Sequence, residues 1–136
     1  MFEQIGGFDP DLITLEDYDL SFRLFNFGHC VFMKENLAAY RNHPEGVSKV
    51  GLLHPGEILL RKIERFYAND TDKRRLINVL LGDLYADWGW QEINAGRCSE
   101  GCRRLIQSLG CNPAKFRTYS LLVRSCLPEA VRSFLS

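Results

Sequence analysis

The sequence predicts an α+β N-terminal portion followed by an all-helical extension. Three observations lead there. Short apolar runs, His29-Cys30-Val31-Phe32-Met33 and Leu37-Ala38-Ala39-Tyr40-Arg41, have the length and bounding turn residues of strands. After Pro55 the apolar residues instead recur at intervals of three and four, the period of helices. Charge changes sign at the same place. Residues 1–50 hold eight Asp and Glu against four Lys and Arg, a net of −4, whereas residues 51–136 hold nine against thirteen, a net of +4. A boundary near residue 51 therefore separates residues 1–50 from residues 51–136.

Each element follows from local pattern. Leu20, Leu24 and Phe27 predict a helix from Leu15 to Phe27, with Thr14 as N-cap, Asp17 three residues on as in a capping box, and Gly28 as terminator. The run from His29 to Met33 reads as a buried strand and that from Leu37 to Arg41 as a second extended piece. Asn42-His43-Pro44-Glu45-Gly46 is turn chemistry. Ile58, Leu59, Ile63 and Phe66 predict one helix, and Leu76, Val79, Leu80, Leu84 and Tyr85 a second. A third runs from Arg103 to Leu109 and a fourth from Phe116 to Leu127, punctuated by Pro113 and Pro128. Leu81-Gly82-x-x-Tyr85, Gly101, Leu105, Ser108 and Pro113 loosely resemble a tetratricopeptide-type helix pair with a stretched loop, but the match is one unit long and a generic helical hairpin is the better reading.

Composition narrows the function. With 46% apolar and 25% charged residues in 136, the chain is of globular type. It has no run near the roughly 18–20 apolar residues of a spanning helix and no signal-peptide pattern. Five cysteines without a C-x-x-C spacing read as reduced structural thiols, which points to a cytoplasmic setting. Lys73-Arg74-Arg75 and Arg103-Arg104 read as solvated helix faces, or as contacts to anionic lipid at the inner face of a membrane. No aromatic-interleaved basic stripe is present, which argues against a nucleic-acid partner. Trp88-Gly89-Trp90 reads as inter-helix packing ahead of sugar stacking.

Chemistry concentrates near the start, in Gly6-Gly7-Phe8-Asp9-Pro10 followed by Glu16-Asp17-Tyr18-Asp19-Leu20 and Arg23. Acidic residues in a first helical turn complement the helix dipole, and Arg23 one turn after Asp19 makes an i,i+4 pair; both are structural roles. The same setting keeps a carboxylate charged, the state a general base needs before it takes a proton.

This string, with Glu-Asp-Tyr-Asp-Leu-Ser-Phe-Arg-Leu and then Gly28, resembles family 2 glycosyltransferases of the GT-A fold. The resemblance implies a partial GT-A α/β core over residues 1–50, with residues 51–136 as a helical extension. It implies an inverting transfer of sugar from a nucleotide-sugar donor to a hydroxyl of a sugar or glycoconjugate acceptor, in polysaccharide biosynthesis. Asp17 would be the catalytic base and Glu16 its neighbour, orienting the acceptor. Gly6 and Gly7 would let the backbone approach the sugar. His43, in Tyr40-Arg41-Asn42-His43-Pro44-Glu45-Gly46-Val47-Ser48, matches a histidine that serves the metal or diphosphate site, and would lean towards Mn2+ over Mg2+. His29 and His54 receive no role, His29 reading as a packed residue at the head of a strand.

The resemblance also implies an Asp-x-Asp donor half that this sequence lacks. Asp9-Pro10-Asp11 and Asp17-Tyr18-Asp19 lie within the acceptor-side segment, and neither follows an apolar strand. The expectation is thus a C-terminal part, with the divalent ion and the donor site supplied by a partner chain. Residues 1–50 would then bury too little apolar area to be rigid. The alternative is a non-enzymatic helical interaction module, with residues 51–136 as its working part and the acidic segment as a relic.

Overall fold

Helices form wherever apolar residues repeat at three and four. The computed structural model describes residues 2–29, 31–39 and 52–127. A 3-10 turn at Glu3–Ile5 precedes α1 (Glu16–Phe25), α2 (Leu53–Phe66), α3 (Thr71–Asn94), α4 (Cys98–Cys111) and α5 (Phe116–Ser125). The chain divides into two units, residues 1–59 and 60–136, with the division inside α2.

The described residues contain no strand and no sheet, which corrects the α+β expectation for the N-terminal portion. Residues 31–34 and 36–39 have no regular structure, while Cys30, Tyr40 and Arg41 lie outside the described residues. Val31 is 80% exposed, Phe32 87%, Met33 60% and Leu37 67%. The physical reason is pairing. An extended segment is held by backbone hydrogen bonds to a neighbouring strand, and an apolar run supplies none of those partners itself.

In the unit of residues 60–136, α3 is the central element because it is apolar on two faces. Ile77, Leu81 and Tyr85 form one buried cluster, packed by Leu60, Ile63, Tyr67, Trp88 and Cys111. Ala86, Ile93, Leu105 and Leu121 form a second, packed by Trp90 and Leu122. Both tryptophans therefore serve packing. The Arg104 guanidinium lies 3.7 Å from the Trp88 ring centroid and that of Arg124 5.0 Å from Trp90.

The helices α3 and α4 form an antiparallel hairpin whose closeness is set by small residues. Gly82 faces Ser108 and Asn112, whereas Gly89 faces Gly101 and Leu105. At Gly89 and Gly101 a Cβ would fall within 3 Å of opposing backbone, so only glycine fits the spacing. The buried Ser108 Oγ donates to the Gly82 carbonyl at 2.6 Å and lies 3.1 Å from Thr118 Oγ1, tying α3, α4 and α5 together. Among the described residues no helix is long and apolar enough to cross a membrane.

The start of α3 lies five residues ahead of its first apolar residue, Leu76, because Asp70 caps it. The Asp70 carboxylate accepts from the Lys73 amide at 3.0 Å. That bond, with the Lys73 ammonium 3.1 Å away, holds the Asp70 carboxyl below its ordinary 3.8. A carboxyl whose pKa is lowered by folding stabilises the fold above its unfolded value and ceases to do so as pH falls through its folded value. Asp70→Ala is therefore expected to lower the melting temperature by a few degrees at neutral pH. The gap should close as pH falls below about 3.8. Parallel thermal melts across acid pH check this, and a gap that persists at low pH would assign the cost to something other than the cap.

Candidate functional site

The site is built from a glycine turn and the first turns of α1, both in the unit of residues 1–59. The turn closes with the Gly6 amide donating to the Glu3 carbonyl and the Gly7 amide to the Phe2 carbonyl, each at 3.1 Å. Gly6 (φ +82) and Gly7 (φ +67) are both left-handed, a conformation open to glycine without Cβ strain. Downstream, the Asp9 carboxylate accepts from the Asp11 amide at 2.9 Å, making an Asx turn that leads into buried Leu12 and Thr14.

The helix α1 begins one residue later than its sequence implies. Its N-cap is Leu15, not Thr14, and Leu15 holds a left-handed φ of +66 without a side-chain cap. Thr14 is buried, and its Oγ1 makes no hydrogen bond among the described residues. The capping box expected between Thr14 and Asp17 is therefore absent. The Asp17 carboxylate instead accepts from the neighbouring Tyr18 amide at 2.9 Å. A left-handed non-glycine residue costs roughly 1 kcal/mol or more, and this strain lies directly ahead of Glu16 and Asp17.

The three acids of this turn divide by burial. Asp17 is exposed and Glu16 is partly so. Asp19 is fully buried, with Arg23 Nη2 at 2.7 Å and Nε at 2.9 Å from its Oδ2. The sequence anticipates that pair, but not what the rest of the guanidinium does. Arg23 Nη1 donates to the Ile5 carbonyl and Nη2 to the Gly7 carbonyl at 2.6 Å. One side chain thus ties the glycine turn to α1. The signal available in sequence was the donor count: a guanidinium has five N–H donors, and a single carboxylate leaves some unspent.

Of the sequence-predicted site residues, Gly6 and Gly7 are joined to the helix bearing Glu16 and Asp17. His43 lies outside the described residues. Among those residues no group of three or more His, Cys, Asp or Glu side chains is placed to hold a metal ion. His29 is exposed rather than packed at the head of a strand, for the same want of a sheet. Compared with protein-family models, with curated proteins and with solved structures, the chain matches none.

Proposed function

We propose that this chain supplies the acceptor side of an inverting, nucleotide-sugar-dependent glycosyltransferase, with Asp17 as the general base. The observation that carries the reading is the division of the acids. Asp19 is consumed by Arg23 in holding the glycine turn, while Asp17 stays exposed beside a strained helix start. Burial of Asp19 accounts for one carboxylate by structure alone and leaves Asp17 available for chemistry.

In the proposed step the acceptor hydroxyl gives its proton to the Asp17 carboxylate as its oxygen bonds to the anomeric carbon. The bond from that carbon to the donor phosphate breaks on the opposite face, and the nucleotide diphosphate leaves with the electron pair. Glu16 accepts a hydrogen bond from the acceptor and orients it. The backbone at Gly6, whose missing Cβ faces open space, lies against the sugar, while the corresponding side of Gly7 is covered by the Phe2 ring. A divalent ion at the donor site would neutralise the departing diphosphate. The donor and its diphosphate are bound by a partner chain.

Release of nucleotide diphosphate, measured with a donor-binding half added in trans, tests the reading. Asp17→Asn is expected to lower the rate by about 100-fold or more, the scale of general-base catalysis, with the melting temperature unchanged. Turnover at the wild-type rate in Asp17→Asn would show that the base lies elsewhere. A second reading, a helical interaction module, is favoured by a separate observation: among the described residues, both buried apolar clusters belong to residues 60–136. Capture of a partner that depends on that unit and is indifferent to Asp17→Asn would support it instead.

A further inference from the structure

The α3 helix is 24 residues long and α4 only 14, so the N-terminal turns of α3 run past the end of its partner. The overhang and the chain leaving α4 enclose a cleft of about 530 Å³. Its polar lining is Thr71, Arg74, Arg75 and Asn78 from α3 with Asn112 opposite, and Val79, Cys111, Pro113 and Ala114 make an apolar wall. The volume lies in the range that holds a small molecule.

Most cations elsewhere in this unit pair with carboxylates. Lys73 pairs with Asp70, Lys115 with Asp83, Arg103 and Arg104 with Glu100, and Arg117 with Asp87. Arg74 and Arg75 have no carboxylate in ion-pair range among the described residues, and no Asp or Glu lines the cleft. Adjacent like charges repel, and a sequence selected only for stability gains from a neutralising acid nearby.

We propose that this cleft binds a phosphate group carried on a ligand with an apolar part. Two guanidinium forks, a hydroxyl and two carboxamides offer more donors than the two oxygens of a carboxylate accept. A phosphate has three terminal oxygens and meets the planar forks bidentately. The apolar wall of Val79, Pro113 and Ala114 covers the part of the ligand next to the phosphate. The site lies wholly within the unit of residues 60–136 and does not depend on the role given to Asp17.

Calorimetric titration of the full chain with inorganic pyrophosphate tests this, with succinate as the carboxylate control and vesicles of phosphatidylcholine with and without phosphatidate as the lipid arm. Saturable pyrophosphate binding is expected, weakened about tenfold or more in R74Q/R75Q and unchanged in R103Q, a charge loss elsewhere on the bundle. Both arginines are exposed, so R74Q/R75Q should melt as the wild type does. Arg74- and Arg75-dependent binding to phosphatidate vesicles without pyrophosphate binding would support the site with a lipid as the source of the phosphate. The proposal is overturned if neither phosphate probe binds, if succinate binds as tightly as pyrophosphate, or if R103Q loses as much as R74Q/R75Q.

Discussion

Gly101→Ala is expected to destabilise the helical unit by about 2–3 kcal/mol, dropping its melting temperature by roughly 10 °C or more. A Cβ at this position would meet Ile93 Cγ1 at 2.5 Å, the Gly89 carbonyl at 2.7 Å and the Ile93 amide at 3.0 Å. Two of those atoms are backbone of α3, so relief requires the helices to separate. Separation opens the cluster of Ala86, Ile93, Leu105 and Leu121, whose packing depends on that distance. Working against this, alanine favours a helix over glycine by up to about 1 kcal/mol, which the overpacking has to exceed. The same balance orders the other glycines. Gly89→Ala should cost nearly as much, since its Cβ would meet the Gly101 carbonyl and Leu105 Cγ at 2.8 Å. Gly82→Ala should be milder, with its nearest contacts at 3.1 and 3.3 Å. Gly110, inside α4 with nothing within 4 Å, should gain about 0.5–1 kcal/mol as alanine. Thermal melts of the four variants check the order. A Gly101→Ala protein as stable as Gly110→Ala would mean that the hairpin is not held at this spacing.

The helical bundle was legible in sequence because its apolar residues keep one period over many turns. The ends were less so. The apolar positions Leu76 to Tyr85 mark only the middle of α3, and the helix continues to Asn94 through Trp88, Trp90 and Ile93, with Gly89 among them. That glycine answers to the neighbouring helix, which a single-chain pattern does not display. The N-terminal portion failed differently. The run Val31-Phe32-Met33 shows that burial suits those side chains, but a strand exists only through its partner's hydrogen bonds, and apolarity does not say whether one is present. At the site, the pairing of Asp19 with Arg23 was readable from i,i+4 spacing. The reach of Arg23 to the carbonyls of Ile5 and Gly7 joins residues 16–18 positions apart, beyond any local rule. The choice of Leu15 over Thr14 as cap was equally hidden, because local preference disfavours a left-handed leucine and favours the threonine, which is buried instead.

Arg23→Met should loosen the glycine turn and α1 together. Removing the guanidinium leaves the Asp19 carboxylate fully buried without its cation, a change that costs about 3 kcal/mol or more in other proteins. It also strips donors from the carbonyls of Ile5 and Gly7. The loss is local to the unit of residues 1–59, so hydrogen exchange reads it better than a global melt. Amide exchange at Gly6, Gly7 and Asp19, each hydrogen-bonded in the wild type, should accelerate by about 100-fold. Residues 31–34 and 36–39 have no regular structure and carry the exposed Val31, Phe32 and Met33, so their amides should exchange fast in both proteins. D19L/R23M separates the two contributions. It removes the buried charge, so it should recover part of the protection. It does not restore donors to the two carbonyls, each worth about 1 kcal/mol, so recovery should stop short of wild type. Full recovery in D19L/R23M would reduce Arg23 to a counter-ion for Asp19. Wild-type exchange in Arg23→Met would remove the clamp altogether, and with it the reason for reading Asp19 as structural and Asp17 as the carboxylate left for chemistry.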